Sequence, residues 1–457
     1  MHRQGARLKH VCGAKAFQGA LGWSTVRPVP AQGTYAEHLR SRGDLLLSAG
    51  AVFTIVDQAL AQGRPRIAFE ALLPLVRHPA IPDSDVLRRL AASVEGWPAP
   101  VPIEPLIAVG RAPTDATTLR RFGVALVSAN LPGLAAGVLA RALAIDPTSE
   151  PIQTELVAAL QLLGDHAAAR RVLDAAPPAR GFLRRYLDAF SAVMTSDIDA
   201  ARERAALLAP SDDAERFMAS RLERIFARHT SVASVTALDA HDVRGWHFVL
   251  SGSLLLHVPA DSDTAERRAA HGRYAYVADS PALVLEVVER LEAVLAALDL
   301  SGMVVHPLDQ IDSRVIGTVI ADRQGVHARP TLTPVAPGLV TAWDFEAVLA
   351  DLRAPFAHHR EGQVTFAHAL CHGHEQRFTP DVVGFLYDQR RPPFAPTETD
   401  EAAMVRAIKD ATLPDGALDD LGDVVALAVV AQADGVLALQ SSSGVREPLW
   451  LGGPAAG

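Results

Sequence analysis

The stretch Thr117–Pro147, TTLRRFGVALVSANLPGLAAGVLARALAIDP, decides how the first half of this 457-residue chain folds. Leu119, Phe122, Gly123 and Leu126 recur at the i, i+3, i+4, i+7 spacing of one helical face. Ala135, Leu139 and Ala142 mark a second helix, and Pro147 closes it in the run Ala-Ile-Asp-Pro. Proline lacks the donor that a helix interior needs. Gly123 and Ala135 are small where two helices must cross closely. A second unit follows in register. Leu156, Val157 and Leu160 lie on its first helix, Gly164-Asp165 makes its turn, Ala169, Leu173 and Ala176 lie on its second helix, and Pro177-Pro178 ends it. Weaker helix pairs flank these two. One runs from Val52 to Ala61 and from Ile67 to Val76 around Gly63-Arg64-Pro65, and the other from Gly181 to Leu208, stopping at Pro210. The proline-bearing segment Pro98–Pro113 is expected to interrupt the array.

The order and spacing of these residues resemble a tetratricopeptide repeat of about 34 residues. The resemblance covers roughly Ala49 to Ser211, and the unit ending at Pro147 carries it best. It implies an α-helical solenoid of stacked hairpins with a concave surface for an extended peptide or a helix of a protein partner. The basic peptide clamp of that family does not transfer to Arg120, Arg121 or Arg141, because the match is too degenerate to place them.

A chain of this length suggests two or three domains, and its hydrophobic content is ample for sizeable cores. No apolar run reaches the roughly 18 residues of a membrane span. Met1–Trp23 has scattered basic residues and no continuous apolar stretch, so it reads poorly as a secretory signal. A formal net charge of −9 argues against a nucleic-acid partner. Lysine occurs only at Lys9, Lys15 and Lys409, and with abundant alanine this reads as a GC-rich bacterial coding bias. Cys12 and Cys371 are the only cysteines and lie far apart, which fits a reducing cytoplasm better than a disulfide.

The texture changes after Val232. Trp246–Leu250 and Ser253–Val258 read as two strands around Ser251-Gly252, and Tyr274–Val277 as another. Ser280-Pro281 opens a helix to Leu298. Strands at Gly302–His306, Leu339–Trp343 and Gln363–Ala367 then alternate with helices at Asp312–Arg323 and Phe345–Leu352. That alternation predicts a mostly parallel, helix-covered sheet over 240–395, with an antiparallel hairpin at its start. Asp381 is read as the cap of a helix through Phe385 and Tyr387, and Arg390-Arg391-Pro392-Pro393 as a stiff exit from the domain. Beyond it, Glu401–Ala411 reads as a helix, and Asp423–Ala431 with Gly435–Gln440 as a strand pair.

Three patterns point to chemistry. Asp309, Asp312, Ser313 and Arg314 follow the strand ending at His306, where α/β sheets bind ligands beyond strand carboxyl ends. Ser313 can hydrogen-bond an anion and Arg314 can neutralise it, although no glycine-rich phosphate cradle is present and an aspartate there also serves as a helix cap. The second pattern is histidine-rich: His358, His359, His368, Cys371, His372 and His374, with His306 and His327 in the same domain. Imidazole and thiolate suit zinc, and His368, Cys371, His372 and His374 are the candidate ligands, with Glu375 the nearest carboxylate. Their spacing departs from paired structural-zinc motifs, and histidines bound to backbone groups explain it equally. The third pattern is Cys371 as a nucleophile beside His372 or His374, against the commoner state of a buried, inert thiol.

The sequence therefore predicts an α plus α/β protein: a loosely attached 1–35, a helical repeat domain 36–235, an α/β domain 240–395 and a C-terminal 396–457 with a flexible tail. The expected role is a cytoplasmic protein-interaction adaptor. The alternatives are an enzyme or binding protein for a nucleotide-like or phosphorylated small molecule near 309–314, and a metal protein built on 368–374.

Overall fold

The computed structural model describes residues 49–77, 84–94, 101–176, 181–258, 274–331, 333, 337–345, 354–371, 378–394, 399–440 and 444–447. The chain divides between Ser220 and Arg221 into two compact units.

The first unit is helical. Its helices are α1 (Ala49–Ala61), α2 (Pro65–Arg77), α3 (Ser84–Ser93), α4 (Ile103–Arg111), α5 (Ala116–Ser128), α6 (Pro132–Ile145), α7 (Glu150–Leu162), α8 (His166–Asp174), α9 (Phe182–Val193) and α10 (Ile198–Ala205); α11 (Asp213–Val232) runs across the division. Leu119, Phe122, Leu126, Ala135, Leu139 and Ala142 are all buried, as their spacing requires. Gly123 is the crossing point, since a Cβ there would lie 2.5 Å from Leu139 Cγ. Within the Pro98–Pro113 segment expected to interrupt the array, Ile103–Arg111 forms α4, with Pro105 in the first turn, where no N–H is needed.

One turn geometry recurs. Gly63, Asn130, Gly164 and Ser196 all take positive φ, between 58° and 73°. Beside them Arg64, Leu131, Asp165 and Asp197 donate their N–H to the carbonyls of Ala59, Leu126, Leu160 and Ala192, five residues back. This is the left-handed closure that satisfies orphan carbonyls at a helix end. The turns at Asn130, Gly164 and Ser196 are 34 and 32 residues apart, and Gly63 lies 67 before Asn130, close to two such intervals. Asp115, Asp165 and Asp197 cap the helices that follow them, accepting from Thr118, Ala168 and Ala200 N–H.

The second unit holds one six-stranded sheet, β1 (Leu254–Leu255), β2 (Tyr274–Ala278), β3 (Val305–Pro307), β4 (Gly338–Ala342), β5 (Gln363–Cys371) and β6 (Val382–Arg391), in the order β1-β6-β5-β4-β3 with β2 also on β6. Every strand pair is parallel. β1 pairs Val382–Val383 and β2 pairs Tyr387–Arg391, so the two share one flank of β6 while β5 takes the other. Helices α12 (Val243–Ser251), α13 (Pro281–Ala297), α14 (Ile311–Gln324), α15 (Glu401–Lys409) and α16 (Leu421–Ala433) complete the unit. Ser280 caps α13 through Leu283 N–H. A Cβ on Gly317 of α14 would meet Pro307 and Thr341, and one on Gly384 of β6 would lie 2.8 Å from Val287 of α13. Arg323 of α14 pairs with Glu292 of α13 at 2.9 Å. Leu308, Val340, Phe345, Phe356, Ala367 and Phe378 form a further core.

Four expectations are corrected here. Trp246–Leu250 is helix, because Asp242 accepts from Gly245 N–H to start α12 and Gly252, at φ 75°, ends it. The opening hairpin is replaced by parallel pairing of β1 with β6. Phe385, Tyr387, Arg390 and Arg391 belong to strand β6, so Asp381 caps no helix and the two arginines are paired sheet rather than linker. Asp423–Ala431 lies inside helix α16, and Ala438–Gln440 is a 3-10 turn. Residues 346–352 of the helix expected over Phe345–Leu352, and residues 372–377, lie outside the described residues. No described helix is long and apolar enough to cross a membrane.

Candidate functional site

Six side chains cluster toward the carboxyl ends of the parallel strands. Asp279 directly follows β2, its N–H bonded to the carbonyl of Arg391. Trp343 and Asp344 follow β4, His368 stands on β5, and Tyr387 and Arg390 on β6. Asp279 Oδ1 accepts from Ser280 N–H at 2.9 Å, which leaves Oδ2 for His368 Nε2 at 3.0 Å. In the neutral imidazole, the Nε2 that faces a carboxylate carries the hydrogen and donates it, and Nδ1 then presents a lone pair. The imidazole is fully buried and gripped by Trp343 at 4.5 Å and Phe385 at 5.1 Å between ring centroids. The Trp343 main chain is itself fixed, its backbone N–H donated to Ser313 Oγ at 2.9 Å.

Arg390 lies over the rings of Trp343 and Tyr387, 5.6 and 5.3 Å from their centroids, and its Nη1 is 4.0 Å from Asp279 Oδ2. The Tyr387 hydroxyl donates to Asp344 Oδ2, and burial with that carboxylate beside it pushes the phenol well above its usual range. Asp312 stands at the start of α14. Burial raises its carboxyl above the ordinary value, with Arg390 opposing and Asp279 adding to the rise. Three buried nitrogens in this cluster have no hydrogen-bond partner: His368 Nδ1, Trp343 Nε1 and Arg390 Nη1.

The opposite ends of the strands carry a second buried network with a different character. Arg446 donates to both oxygens of Asp381, at 3.0 and 2.8 Å, and to the carbonyls of Phe356 and His358. Thr365 N–H and Oγ1 also donate to Asp381 Oδ2. Arg446 holds the Asp381 carboxyl below its usual range against the opposing effect of burial. His359, 3.5 Å from Asp381, is driven by burial to a pKa of about 4. Next in the chain, Glu447 accepts from Arg221 and Arg224, both at 2.6 Å. Asp381 and Arg446 satisfy one another, whereas His368 Nδ1, Trp343 Nε1 and Arg390 Nη1 stand without partners toward the strand ends where parallel sheets bind ligands.

The residues singled out from sequence fall on both sides of this distinction. Ser313 is buried and committed to Trp343. Arg314 donates to Asp309 at 2.6 Å and to Glu401, so its charge is already matched on α15. The cap position of α14 is held by Gln310, whose side chain makes no capping bond, rather than by Asp309 or Asp312. Asp312 alone of that quartet joins the cluster. His368 joins it as well, while Cys371 is a buried thiol at the end of β5. His372, His374 and Glu375 lie outside the described residues. Among the described residues no group of three histidine, cysteine, aspartate or glutamate side chains is placed to hold a metal ion. His306 faces the Arg329 carbonyl at 3.3 Å. Sequence reasoning missed Asp279, Trp343, Asp344, Tyr387 and Arg390 as site residues. Only their places at strand ends could have signalled them. Comparison with family models, curated proteins and solved structures returns no match.

Proposed function

We propose that the α/β unit is an enzyme or binding domain for a small polar molecule, with its site at the cluster around His368. The observation that carries this reading is the Asp279–His368 pair, a buried imidazole oriented by a carboxylate through one nitrogen with the other unpaired. That arrangement is suited to accepting a proton or a hydrogen bond from a bound group. Tyr387 and Asp344 supply a second proton-bearing pair beside it. The ligand reading at 309–314 thereby moves inward from Arg314 to Asp312 and Arg390. Thermal unfolding of the full chain against a metabolite panel tests it. At least one compound raises the midpoint by several degrees in the wild type and leaves His368→Ala unmoved. A panel that shifts neither protein removes the reading.

For the helical unit we retain the tetratricopeptide-like interaction scaffold. It is supported by the recurrence of one turn geometry at intervals of 34 and 32 residues. Ile145, Leu183 and Leu207 are exposed apolar side chains of that unit. A protein partner captured by the full chain and lost with Leu183→Glu and Leu207→Glu supports the scaffold; capture indifferent to both variants counts against it.

A further inference from the structure

We infer that the His368 cluster recognises an uncharged amide or lactam edge on a planar ligand. This rests on the reading of the strand carboxyl ends as a ligand site and names the chemistry that fits there. The three unpartnered nitrogens define a pattern. Trp343 Nε1 offers only a donor, as indole always does, and Arg390 Nη1 offers a second donor. His368 Nδ1 offers an acceptor, because its Nε2 hydrogen is committed to Asp279. Two donors and one acceptor, on side chains that touch one another through the Trp343 ring, complement a carbonyl oxygen and an N–H, the two groups of an amide edge.

Charge selects against the other classes. Asp279 and Asp312 lie near the Arg390 guanidinium and Asp344 is bonded to the Tyr387 under it, so a carboxylate or phosphate ligand would add negative charge to a site already rich in it. A metal cation would face Arg390, whose charge cannot be removed by deprotonation. A neutral amide avoids both costs. It also supplies the partners whose absence makes buried polar atoms expensive. Trp343, Phe385 and Tyr387 are the aromatic neighbours of His368 and Arg390, and flat side chains of this kind suit a flat ligand.

The test titrates the full chain with nicotinamide and with uracil, using acetate, inorganic phosphate and Zn²⁺ as comparison probes. The readout is the Trp343 indole N–H resonance, assigned by its loss in Trp343→Phe. Calorimetry gives the affinities, and circular dichroism confirms that each variant folds. At least one amide probe moves the resonance to saturation, and Trp343→Phe and Arg390→Lys each weaken its binding 10-fold or more. The inference is overturned if neither amide probe saturates the shift, or if both variants bind as tightly as the wild type. Saturable acetate or phosphate binding lost in Arg390→Lys, with no response to the amides, discards the amide while keeping the ligand site. Zn²⁺ alone shifting the resonance has the same consequence. Silence from every probe discards both.

Discussion

His359 carries the clearest dependence on pH at the level of single residues. Its folded pKa, about 4, lies below the ordinary 6.5 because burial disfavours the imidazolium. The unfolded chain binds that proton from pH 6.5 downward, whereas the folded chain refuses it until about pH 4. The stabilisation is therefore complete above pH 6.5 and is lost as pH falls through that window, by roughly 3 kcal/mol at most. Urea melts of the wild type and His359→Gln between pH 7 and pH 4 check this, and the variant loses that part of the slope. Asp381 makes a sharper case. Asp381→Asn leaves the Arg446 guanidinium buried without its counter-charge, an error worth about 3–5 kcal/mol. Denaturation at pH 7 reads the loss directly. The two residues differ in kind from His368, whose pairing with Asp279 spans 89 positions of sequence and leaves a nitrogen unpaired. Nothing in local composition announces a contact between residues so far apart, and so this half of the site was not legible from the chain. Asp312 was, because its place after a buried-type strand is a local property.

Individual elements show where sequence patterns decide a structure and where they do not. The α5–α8 hairpins follow from Leu119, Phe122 and Leu126 facing Ala135, Leu139 and Ala142, since each such helix has one apolar face and a period to reveal it. α12 and α16 have no such face. Val243 and all of Gly245–Ser251 are buried, and α16 is apolar almost all round, so a short greasy run gives no period to separate helix from strand. In α12 the deciding signals are Asp242 before the run and Gly252 after it, a cap and a left-handed stop, and both outweigh the β-preferring Trp246 and Val249. Among caps, Asp115→Ala is expected to cost about 1 kcal/mol through the lost bond to Thr118 N–H, measured by thermal melting. Within β6, Gly384 permits the approach of β5: a Cβ there would stand 2.0 Å from the His368 carbonyl oxygen. Gly384→Ala should cost about 3 kcal/mol and should also displace His368, abolishing any ligand-dependent rise in the melting midpoint.

The whole molecule comprises two compact units that part at Ser220. Each holds an extensive buried apolar core, the helical one running from Val52 to Ala159 and the α/β one built on the sheet. Scanning calorimetry of the full chain is expected to show two transitions, of which Asp381→Asn lowers only one. A single transition lowered as a whole by that variant would show that the units melt together. The sequence placed the change of architecture some 15–20 residues late, between 235 and 240, because α11 runs unbroken through the division and offers no loop to mark it. Arg446 and Glu447 have one more implication, for the order of events during synthesis. They close the amino ends of β5 and β6 and engage Arg221 and Arg224, more than 200 positions earlier. A nascent chain can wind its helical hairpins one by one as they leave the ribosome. The sheet has to wait for its last counter-charge, with Asp381 uncompensated until Arg446 has cleared the exit tunnel.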